Sequence, residues 1–100
     1  MSHYTFSPDA IRDLEEICDG LTLVNAAVAS RLFDRIRQKC KLVAGFPNMG
    51  KRYEELAPDL RGFVVDSYCV FYYPLPDGIE IARVIDGRRD IEAIFGQLEE

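Results

Sequence analysis

The sequence has a single histidine and no tryptophan among its 100 residues. That histidine, His3, stands in a terminal segment that we expect to fray. General acid–base catalysis by imidazole is therefore not expected, and no Ser-His-Asp or Cys-His arrangement can be assembled except through His3. The sequence also lacks a glycine-rich phosphate loop. These absences favour a protein that acts by binding over an enzyme, and we predict no catalytic residue.

Cysteine is scarce, and its spacing is wide. Cys18, Cys40 and Cys69 are odd in number and stand far apart among apolar neighbours. A disulfide framework needs paired cysteines, and a zinc site needs closely spaced pairs of ligands. We therefore predict three ordinary buried thiols, with no metal and no cofactor.

Long apolar runs and an excess of basic residues are also missing. No run approaches the roughly 20 residues that span a bilayer, and the N-terminus lacks the features of a signal peptide. We therefore expect a cytoplasmic protein without membrane contact. The formal net charge of −5 argues against nucleic-acid binding by the chain as a whole, including sequence-specific DNA binding. Six basic residues could either converge in a local patch or be scattered over the surface as solvated charges, and the sequence does not decide between these alternatives. The six residues are Lys51, Arg52, Arg61, Arg83, Arg88 and Arg89.

The first half of the chain is patterned as two amphipathic helices. Ser7-Pro8-Asp9 predicts a helix start, because serine caps free backbone N–H groups and proline suits the first helical position. Apolar residues then recur at helical spacing, Gly20 is the expected stop, and four residues are expected on the outer face. These four are Arg12, Asp13, Glu15 and Glu16. A second helix is predicted from near Thr22 or Asn25 to about Ala44, forming an antiparallel hairpin with the first.

The second half is patterned as strands. Three runs are rich in β-branched and aromatic residues: 61–65, 68–73 and 79–85. In the last run, alternation places Ile79, Ile81 and Ile85 on one face and Val84 on the other. We predict an α+β fold in one domain of residues 1–100. An N-terminal strand and the helical hairpin pack on a three- to four-stranded antiparallel sheet, and a short C-terminal helix around 91–95 packs at one end.

Several residues of the sheet stand out as candidates for binding. Arg83 shares a predicted strand face with isoleucines, which is unusual unless that face opens to a groove or holds a carboxylate. Arg61 begins the first strand of this region, while Tyr68 and Tyr72 share one face of the next. Arginines and tyrosines on one sheet face can anchor a partner, although tyrosines packed in the core would produce the same pattern.

The end of the last strand carries further candidates, Asp86, Arg88 and Arg89. Aspartates at a strand-to-helix junction commonly cap the helix or pair with arginine. We therefore favour a structural role for Asp86 and Asp90 over a catalytic one.

Six pieces of sequence, in order and at matching spacing, resemble the ParE/RelE toxin superfamily of toxin–antitoxin modules. The resemblance covers nearly the whole chain. The pieces are Asp9-Ala10…Asp13-Leu14…Ile17, Phe46-Pro-Asn-Met-Gly50, Leu60-Arg61, Val70-Phe-Tyr-Tyr73, Asp77-Gly-Ile79 and Arg83-Val-Ile-Asp-Gly-Arg-Arg-Asp90. The resemblance implies a helical hairpin packed on an antiparallel sheet. It also implies a role in plasmid stabilisation and a ParD-like or similar antitoxin, encoded alongside, whose C-terminal segment wraps the toxin.

The superfamily holds two activities, and the resemblance is closer to one of them. RelE-like members cut mRNA on the ribosome with basic residues and a late tyrosine or histidine, whereas ParE-like members are taken to inhibit DNA gyrase. The stretch Phe46–Gly50 and the Arg-Arg-Asp ending resemble the ParE-like branch. Asp86 stands where many relatives have histidine, and no tyrosine or histidine follows Tyr73.

The sequence therefore supports three hypotheses about function. The leading one is a toxin that inhibits gyrase by binding and is neutralised by its antitoxin. Its candidate binding residues are Arg61, Tyr68, Tyr72, Arg83, Asp86, Arg88 and Arg89. The second is a ribosome-dependent mRNA endonuclease, in which Arg61, Arg83, Arg88 and Arg89 hold the RNA and a tyrosine acts in acid–base catalysis. The third is a non-toxic remnant that acts only in complex with its antitoxin.

Overall fold

Two helices form the predicted hairpin in the computed structural model, which describes residues 2–98. Helix α1 spans Pro8–Thr22 and helix α2 spans Ala26–Gly45. The Ser7 hydroxyl accepts a hydrogen bond from the Ala10 N–H at 3.1 Å, which confirms the predicted cap. The Asn25 side chain caps α2 in the same way, accepting from the Ala27 N–H at 2.9 Å.

The expected stop at Gly20 is wrong, because α1 continues to Thr22. Gly20 lies within the helix, where glycine is tolerated at a cost of about 1 kcal/mol relative to alanine. Leu23 caps the helix, and its backbone N–H donates to the carbonyl oxygens of Asp19 and Leu21. The chain then enters the cap of α2 at Asn25, so the link between the helices is short.

The sheet has five strands within residues 2–98, in the order β1-β5-β4-β3-β2. Their bounds are His3–Phe6 (β1), Lys51–Arg52 (β2), Arg61–Val65 (β3), Tyr68–Leu75 (β4) and Gly78–Asp86 (β5). Strand β1 runs parallel to β5, and the other neighbours are antiparallel.

The predicted α+β architecture is confirmed, while two details of the sheet differ from expectation. The strand count exceeds three to four because the short strand β2 pairs with Arg61 and Gly62 of β3. His3 is not frayed, because its N–H donates to the Asp77 carbonyl at 2.8 Å and holds β1 beside β5.

A β-bulge in β5 corrects the predicted alternation. Phe71 pairs with Arg83 and Tyr72 pairs with Ile81, so Ala82 is an extra residue in the ladder. An extra residue reverses the facing of all that follow it. Val84, and not Ile85, therefore joins Ile79 and Ile81 in the core beneath the helical hairpin. Ile85 belongs to a second core on the opposite face.

Both faces of the sheet are thus covered. The larger core lies between the hairpin and residues such as Val70 and Tyr72. The second core gathers Leu56, Leu60, Phe71, Ile85 and Phe95. Helix α3 (Ile91–Leu98) supplies Phe95, whose ring meets that of Phe71 edge to face with centroids 5.0 Å apart. The C-terminal helix therefore packs on the second sheet face and does not only close one end.

The cysteines are free thiols of two kinds. Cys40 is buried, and burial raises its pKa from 9.0 to about 12. Cys18 and Cys69 are only half-buried, so the prediction of three buried thiols is wrong for these two. Cys69 packs against the edge of the second core.

Leu32→Ala should destabilise the chain by about 3 kcal/mol, because Leu32 is buried between α2 and the sheet and its loss leaves a cavity. The matched control is Arg35→Ala on the exposed face of the same helix. Arg35 pairs with Asp66 at 2.7 Å across an exposed surface, so its loss should cost less than about 1 kcal/mol. Urea unfolding of both variants measures the difference, and equal losses would mean that the buried face of α2 is assigned wrongly.

Candidate partner-binding surface

Arg83 is held inside the fold by a carboxylate. Its Nε donates to Asp13 Oδ2 at 2.7 Å and its Nη2 donates to Asp13 Oδ1 at 2.9 Å. Asp13 Oδ2 also accepts from the Val84 backbone N–H at 3.0 Å. These bonds raise the pKa of Arg83 against the opposing effect of burial. Of the two alternatives that the sequence left open for Arg83, a groove or a carboxylate, the structure shows a carboxylate partner, and the pair joins α1 to β5. The predicted face is wrong in part, because the bulge places Arg83 beside Phe71 and Ile85 and not beside Ile79 and Ile81.

Asp13 itself was expected on the outer face of α1, and that expectation is wrong because Asp13 is 7% exposed. A signal was present in its spacing. Asp13 stands three residues after Ala10 and four before Ile17, which places it on the apolar stripe of the helix. An acidic residue on such a stripe needs a buried partner, and Arg83 supplies it.

Arg61 and Tyr72 fasten the loop 46–50 to the sheet. Arg61 Nη1 donates to the carbonyl oxygens of Asn48 and Gly50 at 2.9 and 2.8 Å. The Tyr72 hydroxyl donates to the Pro47 carbonyl at 2.7 Å and accepts from the Gly50 N–H at 3.0 Å. Tyr72 is fully buried, so this candidate binding residue serves the fold and offers no surface to a partner. Desolvation raises its pKa.

Tyr68 and Arg88 lie together on a cavity of about 540 Å3 between the helical hairpin and the turn from β3 to β4. We call this the hairpin cavity. It is lined by Leu21, Val28, Arg31, Leu32, Arg35, Asp66, Ser67, Tyr68 and Arg88. Three arginines thus face one aspartate, Asp66, which pairs with Arg35. The cavity is positively charged on a chain whose net charge is −5.

Arg31 and Arg35 are the cavity residues that the sequence did not single out. They stand four residues apart on α2, so their side chains share one stripe of the helix. On sequence grounds a charged helix stripe indicates only a solvated face. Its position beside Tyr68 and Arg88 depends on how the hairpin docks on the sheet, which the spacing does not reveal.

The loop after β5 is organised around Asp86. Its carboxylate accepts from the Arg88 backbone N–H at 2.9 Å and from Arg88 Nη2 at 2.8 Å. These bonds lower the pKa of Asp86 from 3.8 to about 2. Asp90 caps α3, accepting from the Ala93 N–H at 3.1 Å. The favoured structural interpretation of both aspartates agrees with these bonds, and Arg89 remains exposed.

Arg88→Ala should raise the pKa of Asp86 from about 2 part of the way towards 3.8, because the side-chain bonds disappear and the backbone bond remains. A carboxylate with a lowered pKa stabilises the folded loop above pH 3.8 and loses that effect as the pH falls towards 2. An NMR titration of the Asp86 carboxyl carbon measures the shift. Arg89→Ala is the control and should change little; an unchanged pKa in Arg88→Ala would contradict the assignment.

The six basic residues do not converge on one cavity. Arg52 and Arg61 line a cavity beside Asn48, Arg83 lines a second, and Arg88 lines the hairpin cavity. The open choice between one patch and scattered charge is thus resolved against a single patch. Within residues 2–98 no group of three potential ligands is placed to hold a metal ion, and no helix is long and apolar enough to cross a membrane.

Comparisons with known proteins agree with this architecture. The family described as "ParE toxin of type II toxin-antitoxin system, parDE" matches residues 4–91. Toxin ParE3 of Caulobacter vibrioides is 30% identical over 91 residues, which cover 91% of this chain and 88% of that protein. The solved structure "Chromosomal ParDE TA system from P. aeruginosa" superposes with a TM-score of 0.70 over 86% of this chain and 96% of that one. At 19% identity, this last similarity shows the fold.

Proposed function

Because the chain belongs to the ParE toxin family of type II toxin–antitoxin systems, we propose that it inhibits DNA gyrase by binding and that a cognate antitoxin neutralises it. The match spans residues 4–91 and includes both the hairpin and the sheet. Membership of such a two-component family implies an antitoxin partner. The identity of the target, DNA gyrase, is tested by the supercoiling assay described below.

One observation favours binding over catalysis: Arg61 and Arg83 are hydrogen-bonded to groups of the chain itself. A nuclease would need Arg61 and Arg83 to grip RNA. Arg61 instead donates to two loop carbonyls, and the charge of Arg83 is neutralised by Asp13. Tyr72 is buried with its hydroxyl satisfied. Using these groups for RNA chemistry would require breaking bonds that hold the fold, which supports a mechanism without bond cleavage.

We assign contact with the target to the hairpin cavity and the adjacent loop 86–89. Arg88 is exposed, and Arg31 and Tyr68 stand beside it. Leu23 and Val24 at the hairpin tip are 89% and 85% exposed, next in sequence to the cavity residue Leu21. Exposed apolar side chains next to arginine and tyrosine are the composition of a protein–protein hot spot.

The test is a gyrase supercoiling assay with the purified chain and two variants. The double variant Tyr68→Ala/Arg88→Ala should weaken inhibition by roughly 100-fold, since each anchor contributes about 1–2 kcal/mol. Arg37→Ala is the matched control. It removes an exposed arginine whose partner, Asp34, lies on the same helix, so inhibition should stay within about twofold.

Two results would contradict the proposal. Unchanged supercoiling at a large excess of the wild-type chain would remove gyrase as the target. Equal inhibition by the double variant and the wild type, with both folded by circular dichroism, would remove the hairpin cavity as the contact surface. Separately, growth arrest when the chain is expressed without antitoxin would reject the hypothesis that it is a non-toxic remnant.

A further inference from the structure

A cavity of about 350 Å3 opens on the sheet face that carries the second core. We call it the bulge cavity and define it by Asp9, Leu56, Tyr73, Glu80 and Phe95. Its volume lies within the range of about 300–1,000 Å3 that is typical of small-molecule sites. Leu56 and Phe95 also belong to the second core, so one wall of the cavity is apolar and firmly packed. Among residues 2–98 it shares no lining residue with the hairpin cavity.

The space in the bulge cavity comes from the bulge in β5 and from small side chains. Ala82 is the extra residue of the ladder, and it lines the cavity together with Ala57 and Pro58. Because an alanine side chain ends at Cβ, the two alanines leave room that larger side chains would fill. The Ala82 carbonyl accepts a hydrogen bond from the Ser7 hydroxyl at 2.9 Å, which holds the bulge against the start of α1. Bulges are frequent beside functional sites, where they redirect side chains.

The charge of the bulge cavity is negative. Asp9 and Glu80 contribute two carboxylates, and Arg83 is the one cation that lines the cavity within the described part of the chain. Asp13 already neutralises that cation through two hydrogen bonds. Arg12 approaches Asp9 to 3.6 Å, but solvent screens this exposed pair. Glu80 forms no ion pair with any other residue between positions 2 and 98.

Aromatic rings stand beside these carboxylates. Tyr73 is the direct cross-strand partner of Glu80, so the two side chains leave the same face of the sheet with their Cβ atoms about 4.5–5.5 Å apart. Phe95 brings a second ring from α3. The negative face of an aromatic ring attracts a cation, and proteins use such rings to recognise ammonium ligands. A carboxylate next to a ring adds Coulombic attraction for the same ligand.

We propose that the bulge cavity binds a small organic cation that carries an ammonium group on an apolar body. The apolar body would lie against Leu56, Ala57 and Phe95, and the ammonium group would face Glu80 and the ring of Tyr73. An anion would be repelled by the two carboxylates, and a neutral ligand would gain nothing from them. This binding activity goes beyond gyrase inhibition and does not depend on it. The same chemical group occurs in free amines and in the lysine side chains of other proteins.

The probe is benzyltrimethylammonium, titrated into the full chain while the backbone amide NMR signals of Ala57, Glu80 and Ala82 are followed. We expect a dissociation constant of roughly 1 mM or below, as suits a ligand of this size. Phenylacetate and benzyl alcohol are the anionic and neutral comparisons, and both should bind at least roughly tenfold more weakly. An N-acetylated lysine amide distinguishes the two sources. Tighter binding of benzyltrimethylammonium identifies a free cation as the occupant, and tighter binding of the lysine derivative identifies a side chain of a partner protein.

Two variants test the assigned contacts. Glu80→Gln removes the charge and keeps the shape, so it should weaken binding of benzyltrimethylammonium by roughly fivefold to tenfold. Its matched control, Glu15→Gln, alters an exposed carboxylate of α1 outside the cavity and should change the affinity within about twofold. Ala57→Leu should abolish detectable binding, because the larger side chain fills the cavity. If Ala57→Leu proves unfolded by circular dichroism, the two glutamine variants still decide the question.

The inference is overturned if phenylacetate or benzyl alcohol binds as tightly as benzyltrimethylammonium. It is also overturned if neither cation shifts the amide signals of Ala57, Glu80 and Ala82, or if Glu80→Gln and Glu15→Gln have equal effects. Gyrase takes no part in these measurements. A failed supercoiling assay would therefore reject the proposed target and leave the bulge cavity standing, and a failed titration would reject the bulge cavity alone.

Discussion

Replacing Asp13 with alanine is expected to destabilise the chain by about 3–5 kcal/mol. The variant leaves the guanidinium of Arg83 buried without its carboxylate, and it also leaves the Val84 N–H without its acceptor. Both side chains of the pair are largely covered, with 16% exposure for Arg83 and 10% for Asp13. Urea or thermal unfolding measures the loss directly.

The control for this prediction is a double-mutant cycle with Arg83. Arg83→Ala alone should also be costly, because it leaves the Asp13 carboxylate buried and unpaired. Asp13→Ala/Arg83→Ala should cost clearly less than the sum of the two single changes, since neither charge is then left alone. Strictly additive losses would mean that the pair contributes little and that the residues act separately. A loss of activity in Arg83→Ala without any loss of stability would instead give Arg83 a direct role in binding.

Gly78→Ala is expected to be the other severe substitution, costing about 4 kcal/mol or more. Gly78 has φ of +155°, a conformation that residues with a Cβ rarely adopt. An added Cβ would overlap the carbonyl oxygen of His3 and would approach its backbone nitrogen to 2.8 Å. Strand β1 would have to leave β5, giving up the pairing from His3 to Phe6.

Gly20→Ala is the matched control for Gly78→Ala. A Cβ at Gly20 meets nothing within 4 Å, and the residue lies inside α1. Alanine there should stabilise the chain by about 0.5–1 kcal/mol, because glycine is unfavourable within a helix. Hydrogen exchange of the His3 and Ser7 amides, which donate to the carbonyls of Asp77, just before β5, and of Ile81 within it, should accelerate in Gly78→Ala and remain slow in Gly20→Ala. Slow exchange in both variants would show that β1 tolerates a Cβ at this position.

The fold was predictable from the sequence where its causes are local. The Ser7 cap and the extent of α2 follow from residues that are close in sequence, and both predictions are confirmed. The bulge at Ala82 was not predictable, because it depends on how β5 pairs with β4 across the sheet. The same holds for the pairing of β1 with β5, which joins residues some 75 positions apart in the chain.

The candidate site was predictable only in part, for a similar reason. Tyr68 and Arg88 were identified by residue type and lie on one cavity. The roles of Arg61 and Tyr72 in holding loop 46–50 could not be predicted, because they arise from contacts that are distant in sequence. Asp13 carried a readable signal in its helical spacing, but its partner is 70 residues away.

The most direct test of the central claim, that this chain acts by binding, is gyrase supercoiling measured beside cleavage of ribosome-bound mRNA with the same preparation. The account predicts inhibited supercoiling and intact mRNA, with inhibition relieved when antitoxin is added. Cleaved mRNA with normal supercoiling would contradict it. That result would mean that Arg61 and Arg83 leave their internal partners to perform chemistry on RNA.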